Sequence, residues 1–85
     1  REMNVPVDVI ATFNTVGKIK PNYIRLEDCQ HGLQTYKIAQ IEQVKEERYA
    51  GMNMLLFCCS VPMGEVIQTI KLRYHIDTHK WMLVH

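Results

Sequence analysis

Residues 65–76 read Glu65-Val66-Ile67-Gln68-Thr69-Ile70-Lys71-Leu72-Arg73-Tyr74-His75-Ile76, and their alternation decides the fold. Successive side chains of a strand point to opposite faces, so Ile70, Leu72, Tyr74 and Ile76 share one side and Lys71, Arg73 and His75 the other. The expectation is a strand with the apolar set in the core and the basic set in water. Upstream, Met52 to Val61 is a short apolar run bounded by Gly51 and by Pro62-Met63-Gly64. A run of that length and composition reads as a central strand buried on both faces. Downstream, Asp77-Thr78-His79-Lys80 reads as a tight connection that Asp77 caps, after which Trp81 to Val84 returns as the last strand.

The same period of two runs back to the N-terminus. Val7, Val9, Ala11 and Phe13 alternate with Asp8, Ile10 and Thr12, giving a first strand with its odd positions inward. Asn14-Thr15-Val16-Gly17 supplies turn chemistry, and a second strand from Lys18 to Glu27 packs Tyr23, Ile24 and Leu26. Proline cannot donate to a ladder, so Pro21 marks an edge, a bend or a bulge, and an edge there is a candidate for strand addition by another chain. The polar loop from Glu27 to Gly32 leads to a long third strand, Leu33 to Lys45, with Tyr36, Ile38, Ile41 and Val44 as its apolar positions. Their phase slips between Ile38 and Ile41, which a bulge near Ala39-Gln40 repairs. The spacing 38, 41, 44 also fits a helix across Lys37 to Glu47, but no capping box precedes it and its β-branched content favours a strand.

Five to six strands with glycine or proline between them describe an all-β chain: a small antiparallel barrel or strongly bent meander, SH3-like or OB-like in size. At 85 residues the chain is one domain, 1–85, with residues 1–4 read as a flexible lead and Arg1-Glu2 before Met3 as a cloning remnant. A content of 47% apolar and 22% charged residues with a net charge of +1 fits a soluble globular protein and excludes disorder or a collagen-like chain. The apolar run from Met54 to Cys59 falls far short of the roughly 20 residues of a membrane-spanning helix, so no membrane partner is expected. Three cysteines, Cys29, Cys58 and Cys59, make an odd set with two adjacent members. They form a poor disulfide framework and point to reduced thiols and a cytoplasmic location.

Phe13, Gly17-Lys18-Ile19-Lys20-Pro21, Tyr36-Lys37-Ile38 with Ile41, Leu72-Arg73-Tyr74, and Trp81 with Leu83 occur in this order. That order resembles a group of short bacterial all-β proteins of unassigned function, in which a G-x-I-x-P segment follows the first strand and the chain closes on a Trp hairpin. The resemblance implies a bacterial, barrel-like protein and carries no catalytic residue.

Chemistry-bearing residues are few. Cys29 and His31 offer two zinc ligands where a closed site needs four, and Cys58 and Cys59 join them only if the loop folds over the central strand. Cys29 as a nucleophile needs His31, His75 or His79 as its base and a third group to orient it. His75 and His79 flank the Asp77 turn, where histidines ordinarily meet water. Trp81, Tyr74 and Phe57 read as core, and Met52, Met54, Met63 and Met82 as gap-fillers. No glycine-rich phosphate cradle, nucleophile elbow or paired-carboxylate motif occurs, so neither catalysis nor a cofactor is expected.

The surface candidate is a face on which Lys18, Lys20, Tyr23 and Arg25 join Lys71, Arg73 and His75, diluted by Glu27, Glu42, Glu46 and Glu47. A filled interior leaves the outside to do the work. The expectation is a non-catalytic binding or assembly module whose partner is another protein or a second copy. The alternative is a single-stranded nucleic-acid-binding barrel that uses the basic face. Ten Lys and Arg scattered against nine Asp and Glu create no single-sign field, which disfavours nucleic acid.

Overall fold

The computed structural model describes residues 2–85, so Arg1 lies outside the described residues. Among these the chain forms eight strands and no helix: β1 (Asn4–Pro6), β2 (Asp8–Phe13), β3 (Ile19–Glu27), β4 (Leu33–Lys37), β5 (Gln40–Tyr49), β6 (Met52–Met63), β7 (Val66–His75) and β8 (Lys80–Val84). Strands β1-β8-β7-β6-β5 make one antiparallel sheet and β2-β3-β4 a second. The expected all-β class is present, with eight strands in place of five to six.

The larger count comes from two strands that bend between the sheets. Val7 alone separates β1 from β2, and its N–H donates to the Trp81 carbonyl at 3.1 Å. Ile38 and Ala39 separate β4 from β5; their N–H groups donate to the carbonyls of Asn22 and Ser60, both at 2.9 Å. What reads as one third strand from Leu33 to Lys45 is therefore split between two sheets. The segment Gln40–Tyr49 is strand rather than helix, and its bulge falls between Ile41 and Gln43, beyond the Ala39-Gln40 position.

The core lies between the sheets. Ile24 from β3 meets Phe57, Cys59 and Val61 from β6, Leu72 and Tyr74 from β7, Trp81 from β8 and Ile38 at the corner. The Trp81 ring stands 4.8 Å from Tyr74 and 5.5 Å from Phe57, centroid to centroid, in tilted pairs, an arrangement that favours packing beyond simple area burial. The chain's most apolar run thus lies inside the larger sheet, paired on both sides, but it is not buried on both faces as expected: Phe57, Cys59 and Val61 are buried towards the core, whereas Leu56, Cys58 and Ser60 on the other face are half-buried. Strands β6 and β7 stay in register from Met54↔His75 to Met63↔Val66.

Alternation sets a side chain's side but not whether an opposing sheet reaches it. Phe13, expected inward, closes β2 and is 62% exposed, and Ile76, just past β7, is likewise exposed. Asn4, expected in a flexible lead, is instead the first residue of β1 and pairs with Val84. Strand β3, whose proline suggested an edge open to strand addition, is the middle strand of its sheet. Pro21 is tolerated because β4 pairs with β3 only along Tyr23–Glu27, so Pro21 has a neighbour on the β2 side alone.

Candidate functional site: the outer face of the three-stranded sheet

Lys20 and Tyr23 have opposite parity, and an unbroken strand would send them to opposite faces. The register of β2 against β3 passes from Ile10↔Tyr23 to Ala11↔Pro21, leaving Asn22 as an extra residue. That bulge resets the phase. Pro21 and Ile24 both point into the core, while Lys20, Tyr23 and Arg25 all point out. Across the sheet, Thr12 lies opposite Lys20, and Tyr23 lies between Ile10 on β2 and Lys37 on β4. Lys18 is exposed just before β3, where its N–H donates to Asn14 Oδ1 at 2.9 Å.

Beside the bulge, where β4 leaves β3 for the other sheet, an open groove of about 650 Å³ is lined by Thr12, Lys20, Asn22, Tyr23, Lys37 and Gln40 over an apolar floor that includes Ile10. No carboxylate lines it. Thr12 Oγ1 donates to Asn22 Oδ1 at 3.0 Å, which leaves the Asn22 amide donors free. Ile10 is 60% exposed and Tyr23 is 38% exposed, so both an aliphatic and an aromatic surface are open beside two ammonium groups. A second open groove of about 670 Å³ runs from β2 to β8 past Trp81 and His79. Its charges are partly spent: Arg25 is ion-paired with Asp8 there, and His79 Nδ1 is hydrogen-bonded to Tyr74 Oη at 2.8 Å.

The basic face expected from the sequence is divided. Lys18, Lys20, Tyr23 and Arg25 lie on the outside of the three-stranded sheet. Lys71, Arg73 and His75 lie on the outside of the five-stranded sheet, because Ile24 and Leu72, their inward neighbours, meet in the core between the two. Arg73 is also out of reach of a ligand. It is 8% exposed, its Nε donates to Glu47 Oε1 at 2.8 Å, and its Nη1 donates to Glu2 Oε1 at 2.8 Å and to Asn4 Oδ1 at 2.6 Å. These bonds, Glu47's foremost, hold the guanidinium charged even more firmly than usual, and the bond from Arg73 keeps the Glu2 carboxyl below its ordinary value. Lys37, Asn22 and Ile10 were not foreseen as part of a face; only the strand register reveals them.

The thiols and imidazoles do not converge. Cys29 is exposed in its loop, and the nearby His31 Nδ1 lies 3.1 Å from Glu27 Oε1. Cys59 is buried on β6, and burial pushes its thiol up to about 11, which leaves it protonated and unreactive near neutrality. Among the described residues no three His, Cys, Asp or Glu side chains stand close enough to hold a metal ion. The Cys29 loop is organised by Asp28, whose Oδ1 accepts the N–H groups of Gly32 and Gln30, each at 2.9 Å. Those bonds, Gly32's first, hold its carboxyl below the ordinary range. No helix is long and apolar enough to cross a membrane.

No protein-family model matches this chain, and neither a curated protein nor a solved structure matches it.

Proposed function

We propose that this chain is a non-catalytic binding or assembly module that holds its partner on the outer face of the three-stranded sheet. The observation that carries this reading is the bulge at Asn22, which turns Lys20 and Tyr23 to the same side beside Ile10 and Lys37. The packed core supports it, since Ile24, Cys59, Val61 and Leu72 are wholly buried between the sheets. So does the dispersal of thiols and imidazoles, which offers no nucleophile, base and orienting group in one place.

We read the architecture as a split six-stranded barrel, SH3-like or OB-like in size, and the protein as bacterial, following the motif order, and cytoplasmic, following its unpaired cysteines. Strands β1 with β2 and β4 with β5 each act as one bent strand shared by both sheets, and the Val7 and Ala39 hydrogen bonds at the corners support that reading. Binding on a sheet face rather than in an interior is how small barrels of this type work.

The partner need not be identified for the test. A library of small soluble fragments, charged and neutral, is titrated into ¹⁵N-labelled protein and the amide shifts are mapped. The expected hits cluster on Ile10, Thr12, Lys20, Asn22, Tyr23 and Lys37. Hits gathered on the five-stranded sheet, or none at all, would overturn the assignment.

A further inference from the structure

We propose that the groove beside the bulge binds a nucleotide unit, meaning a phosphate held close to a planar base, whether free or as part of a single strand. The proposal rests on the reading of this face as the binding surface and adds its ligand chemistry.

Lys20 and Lys37 supply two positive charges, and the unspent amide of Asn22 supplies further donors. Nothing on the groove wall competes for them. Outside it, Asp8 is ion-paired with Arg25, Glu27 lies beside His31, and Glu42 accepts from the hydroxyl of Ser60. A groove with donors and no acceptor carboxylate favours an anion, and an ammonium group serves phosphate as a point charge.

A bare anion would leave the rest of the site unused. Tyr23 presents its ring between Ile10 and Lys37 in the same row, so a ligand whose phosphate meets the lysines has a surface on which its base can stack. Base stacking on an aromatic side chain is tolerant of sequence and is a principal source of affinity in single-strand recognition. The groove's 650 Å³ lies within the size range of small-molecule sites.

Four probes test this at low ionic strength, each followed by amide shifts: inorganic phosphate, thymidine monophosphate, a short single-stranded thymidine oligonucleotide and hexaglutamate. The expected result is that both nucleotide probes move Lys20, Asn22, Tyr23 and Lys37 and bind more tightly than phosphate or hexaglutamate. An oligonucleotide tighter than the monophosphate identifies a strand as the ligand, and equal affinity identifies the free nucleotide. For the oligonucleotide, two phosphate contacts predict a slope of log K against log salt of about −1.4, or about a sevenfold loss between 50 and 200 mM. Lys20→Gln or Lys37→Gln should each remove about 0.7 from that slope, while Tyr23→Leu should weaken binding and leave the slope unchanged.

Hexaglutamate or phosphate binding as tightly as the nucleotides would overturn the proposal, as would shifts confined to Lys71 and its neighbours. If neutral fragments move the groove amides and no nucleotide does, the ligand assignment fails while the surface stands. All three substitutions are at exposed positions, and unchanged spectral dispersion confirms that each variant is folded.

Discussion

Arg73 on β7 and Glu47 on β5 meet across the outside of the five-stranded sheet, Nε to Oε1 at 2.8 Å, although neither strand pairs with the other. Strand β6 lies between them, with Leu56 opposite Arg73 and Met54 opposite Glu47. The pair therefore arches over an apolar strand and shields it from water.

Removing one partner strands the other. Arg73→Met leaves Glu47, Glu2 and Asn4 without their donor and is expected to cost about 2 kcal/mol in urea denaturation, since a half-buried acceptor loses its bond without regaining full hydration. Arg73→Met combined with Glu47→Met should recover most of that loss, because the half-buried carboxylate goes with its donor and the two acceptors that remain, on Glu2 and Asn4, are exposed to water. A single variant as stable as the native chain would show that the arch contributes nothing.

Acid should loosen the molecule at two identified carboxylates. Asp28, held down first by the Gly32 N–H, and Glu2, held down first by Arg73, have folded values below their ordinary 3.8 and 4.5. A depressed value means that the folded state favours the charged form, so this stabilisation is complete above the ordinary values and is lost as pH falls through the folded ones. The urea midpoint should drop as pH is lowered below about 4, the usual carboxylate range. Asp28→Asn should lower the midpoint at neutral pH and flatten that drop; an equally steep drop in the variant would exclude Asp28 as a source.

The β5–β6 connection has a residue it tolerates poorly. Ala50 and Gly51 form a two-residue hairpin with φ of +50° and +81°, closed by the pair Tyr49↔Met52. Positive φ at both positions suits Asn-Gly, whereas a Cβ with no polar group gains nothing there. Ala50→Asn is expected to raise stability by about 1 kcal/mol, read from the urea midpoint. A fall in the midpoint would contradict the turn assignment.

The free edge of β5 is defended against its own copy. A two-fold pairing must place each residue opposite one on the same face, so the register centres on a single residue. Beyond the bulge at Glu42, a register centred on Lys45 opposes two lysines, and one centred on Glu46 opposes two glutamates. Like charges directly opposed are unfavourable, and charged edges guard against such association. Light scattering should show that the double variant Lys45→Thr/Glu46→Thr gains mass with concentration when the native chain does not. An unchanged monomer in both would mean that something other than charge closes this edge.

The sequence carried the fold well where period two is unbroken, as at Ile70, Leu72 and Tyr74, and where composition forces burial, as on the core side of β6. It could not show that Arg73 is covered, because the acceptors arrive from Glu47 and Glu2, 26 and 71 residues away. The face was half legible. Pro21 announced a disturbance, and the bulge it accompanies brings Lys20 and Tyr23 together. Lys37 joins only through the β3–β4 register, and nothing local reveals that β7 belongs to the other sheet. Parity reports which side of its own strand a residue occupies, not which side of the molecule.

The most direct measurement compares Tyr23→Asp with Lys71→Glu, two exposed substitutions on opposite outer faces, in one fragment titration. A working face on the three-stranded sheet predicts that Tyr23→Asp abolishes the amide shifts at Ile10, Thr12, Lys20 and Lys37 while Lys71→Glu leaves them intact. Shifts that survive Tyr23→Asp and vanish with Lys71→Glu would place the working surface on the other sheet.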